Sequence, residues 1–207
     1  MKFFSLPNQM TLLRILLTPV FLYFFLSSDP RFKQISLAIL ILAAITDWYD
    51  GWLARRWGYV TRWGAFFDPL ADKVVTSATF LVYDYIGLVP GWTVWIIVIR
   101  DIFITALRSY AEYKGNPVDT SKLAKTKTFG QFVVMYYILL GYIGEATPQL
   151  EARYGSIVNV LMNYTVIYVL MVLIAAITLW TGLVYTFENR KIIHELFKFS
   201  KNASEAE

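Results

Sequence analysis

The stretch D-W-Y-D-G-W-L-A-R-R-W-G-Y-V-T-R-W-G-A-F-F-D-P-L-A-D, residues 47–72, holds four aspartates in two close pairs. Asp47 and Asp50 stand three residues apart, and Asp68 and Asp72 stand four apart. On helices both spacings put the two carboxylates on one face. Long apolar runs flank the stretch on either side. Carboxylates at the edge of hydrocarbon are costly and tend to be functional, so the nature of the surrounding chain comes first.

That chain is 207 residues long, 57% hydrophobic, 17% aromatic and only 16% charged. A mean hydropathy of +0.50 is too apolar for an ordinary soluble domain. Repeated long apolar runs indicate a polytopic membrane protein. With no cysteine, disulfides, thiolate metal sites and cysteine nucleophiles are excluded. No basic stripe of the kind that binds nucleic acid stands out; the basic residues fall at the ends of apolar runs. Arg14 interrupts the first run and no small-residue cleavage site follows, so the first helix is expected to be retained.

Residues 1–7 form a short amphipathic lead expected at the membrane surface, with Asn8 or Thr11 as caps for a first span at about 9–28. A second span at about 34–56 carries Asp47 and Asp50 near its far end. Asp68 followed by Pro69 predicts the start of a third helix, running to Tyr85. A fourth follows at 92–112, a polar loop at 114–127, a fifth helix at 128–145, a loop at 146–156 and a sixth helix at 160–186. The tail at 188–207 is charged. The expected architecture is all-α: six transmembrane helices in one domain, 1–207, without internal repeats. Lysine and arginine placement puts both termini and the 57–67 and 113–127 connections on the cytoplasmic side of the cell membrane, and the four aspartates with them.

Four carboxylates this close cannot all stay ionised in a low-dielectric site without compensating positive charge. Arg55, Arg56, Arg62 and Lys73 are available for simple ion pairing. Hard divalent cations suit an all-oxygen cluster far better, and the one histidine, His194, is stranded in the tail. Mg²⁺ or Mn²⁺ is therefore expected, and two such ions roughly 3.5–4 Å apart would form a clamp for phosphoryl chemistry. Gly51, Ala54, Gly64 and Ala65 either allow close helix packing or let a phosphorylated ligand approach the backbone, with Arg55 within reach of a pyrophosphate.

Taken together the spacing is D-x2-D-G-x2-A-R-x8-G-x3-D-x3-D, met at Asp47, Asp50, Gly51, Ala54, Arg55, Gly64, Asp68 and Asp72. This pattern resembles the signature of the CDP-alcohol phosphotransferase family, matched at all eight positions. Similar stretches extend the resemblance over roughly residues 7–132: Pro7-Asn8-Gln9, Arg100-Asp101, Ala106-Leu107-Arg108 and Ala124-Lys125-Thr126-Lys127-Thr128. They are most similar to the bacterial branch that moves a phosphatidyl group from CDP-diacylglycerol to sn-glycerol 3-phosphate, releasing CMP. The resemblance implies that Asp47, Asp50, Asp68 and Asp72 ligate two metal ions and that Asp72 is also the general base. It further implies that Gly51, Ala54 and Arg55 line the CDP pocket, and that the protein is a homodimer.

A phosphorylated acceptor needs its own basic pocket, and Arg62, Arg108, Lys125 and Lys127 are the candidates. The same residues would also serve as ordinary cytoplasmic loop charge or lipid head-group contacts. Two further readings remain open at this point. A cardiolipin synthase of the same family would keep the chemistry with another acceptor, and a cation transporter would use the aspartates as its ion path.

Overall fold

A computed structural model describes residues 6–57, 62–113 and 122–190; at 6–11, 47–48, 50–57, 62–69, 72, 112–113 and 122–123 it describes the backbone alone. All regular structure among these residues is helical. The elements are α1 (Leu6–Phe25), α2 (Pro30–Trp57), α3 (Arg62–Tyr85), α4 (Gly91–Tyr113), α5 (Lys122–Ala146), α6 (Pro148–Leu161) and α7 (Tyr164–Glu188).

The corners follow from local chemistry. Between α1 and α2 the Asp29 carboxylate accepts from the Arg31 amide at 2.8 Å, with Pro30 as first helical residue. An aspartate cap before a proline satisfies a free amide where proline has none to offer. The end of α3 is a Schellman turn. Gly87 sits at φ +76°, its amide donates to Asp84 O, and the Leu88 amide reaches back to Tyr83 O, both at 2.9 Å. Asn163 caps α7 by accepting from the Thr165 amide at 2.9 Å.

α1 packs on α2 and α3, α4 on α3 and α7, and α5 on α2, α6 and α7. At the centre Phe21, Phe25, Phe80, Tyr83, Met135, Ile138, Leu139 and Met171 are almost wholly buried. Tyr83 brings a hydroxyl into this core and donates it to Met135 O at 2.9 Å, joining α3 to α5. Outside, the molecule is clad in large apolar side chains, including Trp180 and Phe187 on α7 and Phe129 and Val133 on α5. Such cladding is stable against lipid rather than water. Among the described residues, two helices are long and apolar enough to cross a bilayer, Ala124–Ala146 and Tyr164–Glu188, at 23 and 25 residues. Arg14, by contrast, is buried within α1's packing face.

Several boundaries differ from the sequence expectation. α1 starts at Leu6, so Asn8 and Thr11 lie inside the helix rather than capping it, and it ends at Phe25, short of 28. α3 starts at Arg62, six residues before the Asp68-Pro69 pair read as its beginning. A proline inside a helix forfeits one hydrogen bond, which membrane helices tolerate. α5 starts at Lys122 rather than 128, because Lys127 is drawn into the interior instead of remaining in a loop. The expected loop at 146–156 is largely helix. Thr147 and Pro148 open α6, whose 14 residues are too few to span a bilayer. α6 lies against α5 where Gly144 and Gly141 make room for Val158 and Met162. The final helix consequently begins at Tyr164, not 160.

Candidate active site

In the chain, α2 ends at Trp57 and α3 begins at Arg62. Asp50 stands seven residues before α2's last residue, Trp57, and Asp68 six residues after α3's first, Arg62. Asp47 and Asp72 each stand ten residues from the same ends. At roughly 1.5 Å per residue, the pairs lie at matching distances of about 10 and 15 Å along their helices. Gly51, Ala54 and Arg55 fall on the last two turns of α2 and Arg62 opens α3. The side chains of these residues and of the four aspartates lie outside the described residues. As a donor set, four carboxylates at helix-facing spacings fit hard divalent cations.

Beginning at Lys73, directly after Asp72, the side chains are described and form a charged cluster in the protein interior. Asp101, on α4, is only 2% exposed. Its Oδ2 accepts from Lys73 Nζ at 3.1 Å, and its Oδ1 from Arg100 Nη1 at 3.0 Å and from Lys127 Nζ. Arg100 also reaches α7, donating from Nη2 to Thr181 Oγ1 at 2.9 Å. Its aliphatic stem crosses Gly182, where a Cβ would lie 3.0 Å from Arg100 Cγ and Nε. One carboxylate thus ties α3, α4, α5 and α7 together. In a buried ion cluster the desolvation of each charge is offset only while its partners remain, and removing one partner typically costs about 3–5 kcal/mol.

The four cations expected to hold an acceptor phosphate divide. Lys127 is 2% exposed and bonded to Asp101, whereas Lys125 is exposed on the opposite side of α5, as a two-residue helical offset requires. Arg108 is half-buried, two turns beyond Asp101 on the same face of α4. It lies, like Arg100, within electrostatic reach of the Tyr185 hydroxyl on α7. Arg62 is the first residue of α3, and its side chain lies outside the described residues.

Asp101 itself was passed over as a site residue in the sequence reading. The available signal was an acid inside the apolar run W-I-I-V-I-R-D-I-F-I, where charge is expensive. The second signal lay on α7, where Thr178, Thr181, Gly182 and Tyr185 form a polar stripe with helical spacing on an otherwise apolar helix.

The CDP-alcohol phosphatidyltransferase family profile matches residues 4–188, nearly the whole described chain. The chain belongs to the CDP-alcohol phosphatidyltransferase family. Among curated proteins, it is 36% identical over 149 residues to the CDP-diacylglycerol–glycerol-3-phosphate 3-phosphatidyltransferase of Bacillus subtilis, covering 66% of this chain and 77% of that protein. The proteins of the same name from Salmonella typhimurium and Escherichia coli K12 are 34% and 33% identical over 189 residues, 88% of this chain and 93% of each of them. The paired aspartates near the α2 and α3 ends lie within the residues that the family profile matches.

Proposed function

We propose that this CDP-alcohol phosphatidyltransferase transfers the phosphatidyl group of CDP-diacylglycerol to sn-glycerol 3-phosphate, giving phosphatidylglycerophosphate and CMP. The observation that supports the reading is the eight-position motif from Asp47 to Asp72, which runs from the last turns of α2 to the first turns of α3, in a chain whose relatives, matched over 93% of their length, bear that activity as their name.

Asp47, Asp50, Asp68 and Asp72 hold two divalent ions, Mg²⁺ or Mn²⁺. When bound, such ions supply positive charge to the diphosphate and acidify the nearby hydroxyl. Gly51 and Ala54 leave space for the CDP moiety, and Arg55 contacts its diphosphate. The acceptor's primary hydroxyl oxygen bonds to the β-phosphorus as the bond from that phosphorus to the bridging oxygen breaks. CMP leaves with the bridging oxygen, and the hydroxyl proton passes to Asp72. Arg62, Arg108, Lys125 and Lys127 form the basic surroundings for the acceptor phosphate, Arg108 and Lys127 from the interior and Lys125 from the rim.

In this reading α1–α5 and α7 are six membrane spans and α6 lies at the far interface. Both termini and the site are cytoplasmic, where water-soluble glycerol 3-phosphate is available, and two chains associate as a homodimer. Purified protein supplied with CDP-diacylglycerol, glycerol 3-phosphate and Mg²⁺ is expected to release CMP. Equal turnover with phosphatidylglycerol as acceptor would instead assign a cardiolipin synthase.

A further inference from the structure

The interior cluster carries three cations on one carboxylate, and its bonding separates them into two kinds. Arg100 is fixed on both sides, by Asp101 at 3.0 Å and Thr181 at 2.9 Å, with its stem laid over Gly182. It is the built-in counter-ion of Asp101. Lys73 and Lys127 are then surplus: two further positive charges, gathered from α3 and α5 onto the same carboxylate. Both are largely buried, with side chains 16% and 1% exposed. A low-dielectric interior does not hold two surplus charges for stability alone, since a single Lys–Asp pair would join the helices at less desolvation cost. A surplus of two is the complement of a phosphate dianion. One of the two lysines directly follows Asp72 in the chain, and Arg108 lies two turns along from Asp101.

We propose that Asp101 is a positioning residue, holding Lys73 and Lys127 as a two-charge receptor for the phosphate of the acceptor, with Arg100, Thr181 and Gly182 fixing the carboxylate in place. Lys73 thereby joins the acceptor pocket as a specificity residue. The inference rests on the proposed acceptor, and the wild-type protein with glycerol 3-phosphate is the control that tests that reading by itself.

The test compares wild type with Asp101→Asn, Asp101→Glu and Thr181→Val in detergent, measuring KM separately for sn-glycerol 3-phosphate and CDP-diacylglycerol alongside thermal unfolding. Asp101→Asn is expected to raise the acceptor KM by about tenfold or more while the donor KM stays within about twofold, and Asp101→Glu to recover part of the loss. Thr181→Val loosens only Arg100 and keeps every ion, so it remains informative if Asp101→Asn does not fold. It is expected to raise the acceptor KM by about threefold. Unfolding at lower temperature with the acceptor KM unchanged in either variant would make the cluster a helix brace only and overturn the proposal. Equal rises in both KM values would place the cations at the donor diphosphate, which overturns it as well.

Discussion

Gly182 lacks a side chain at the point where Arg100 crosses α7, and a methyl group there would lie 3.0 Å from two atoms of that arginine. Gly182→Ala is therefore expected to destabilise the protein by about 1–3 kcal/mol, the usual range for overpacking, read as a lower unfolding temperature in detergent. At Asp72 the expected loss is of activity: Asp72→Asn should reduce CMP release by about 10²–10⁴-fold, the contribution of a general base. An unchanged rate would remove Asp72 from that role. The four aspartates stand out in the sequence because ionised groups beside apolar runs are conspicuous and their intervals match helical faces, and both pairs fall on helix, in α2 and α3. The division of Lys125 from Lys127 was not legible in the sequence. Which of two lysines enters the interior depends on the face that α5 turns to its neighbours, and that face is the one from which Lys127 reaches Asp101 on α4. Asp101 was missed as a site residue because its meaning lies in partners 26 and 28 residues away and on other helices.

At the scale of elements, the all-α class and the approximate placement of the long helices follow from apolar runs that only helices can carry through lipid. Their ends were less legible, because a start signal such as Asp68-Pro69 competes with continuation of the helix, and local chemistry alone does not decide between them. α6 escaped notice because its helix leans on small residues of α5, a tertiary effect. The corners make separate predictions. Gly87→Ala forces a side chain into the left-handed region at φ +76°, at an expected cost of roughly 1–2 kcal/mol. Asn163→Ala removes the α7 cap, for about 1 kcal/mol, measured in the same unfolding assay.

Across the whole molecule, the absence of cysteine permits direct mapping of the membrane orientation. Single cysteines at Gln149, in α6, and at Asn202, in the tail, are expected to react with a membrane-impermeant thiol reagent from opposite sides of sealed vesicles. Labelling from the same side would overturn the six-span arrangement. Chelation of divalent ions with EDTA is expected to abolish CMP release, and readdition of Mg²⁺ or Mn²⁺ to restore it; persistent release after chelation would contradict the metal-dependent reading.

The adjacency of Arg100 and Asp101 also bears on how the protein is made. α4 is synthesised before α5 and α7, so neither Lys127 nor Thr181 is present when it emerges. α4 nevertheless brings its cation and anion together as chain neighbours, already bonded in the finished fold at 3.0 Å. In the proposed six-span arrangement neither charge waits in lipid for a distant partner, where an isolated one costs about 2.5–3.5 kcal/mol at a helix centre. Lys127 and Thr181, from helices made later, then find that ion pair already present within α4.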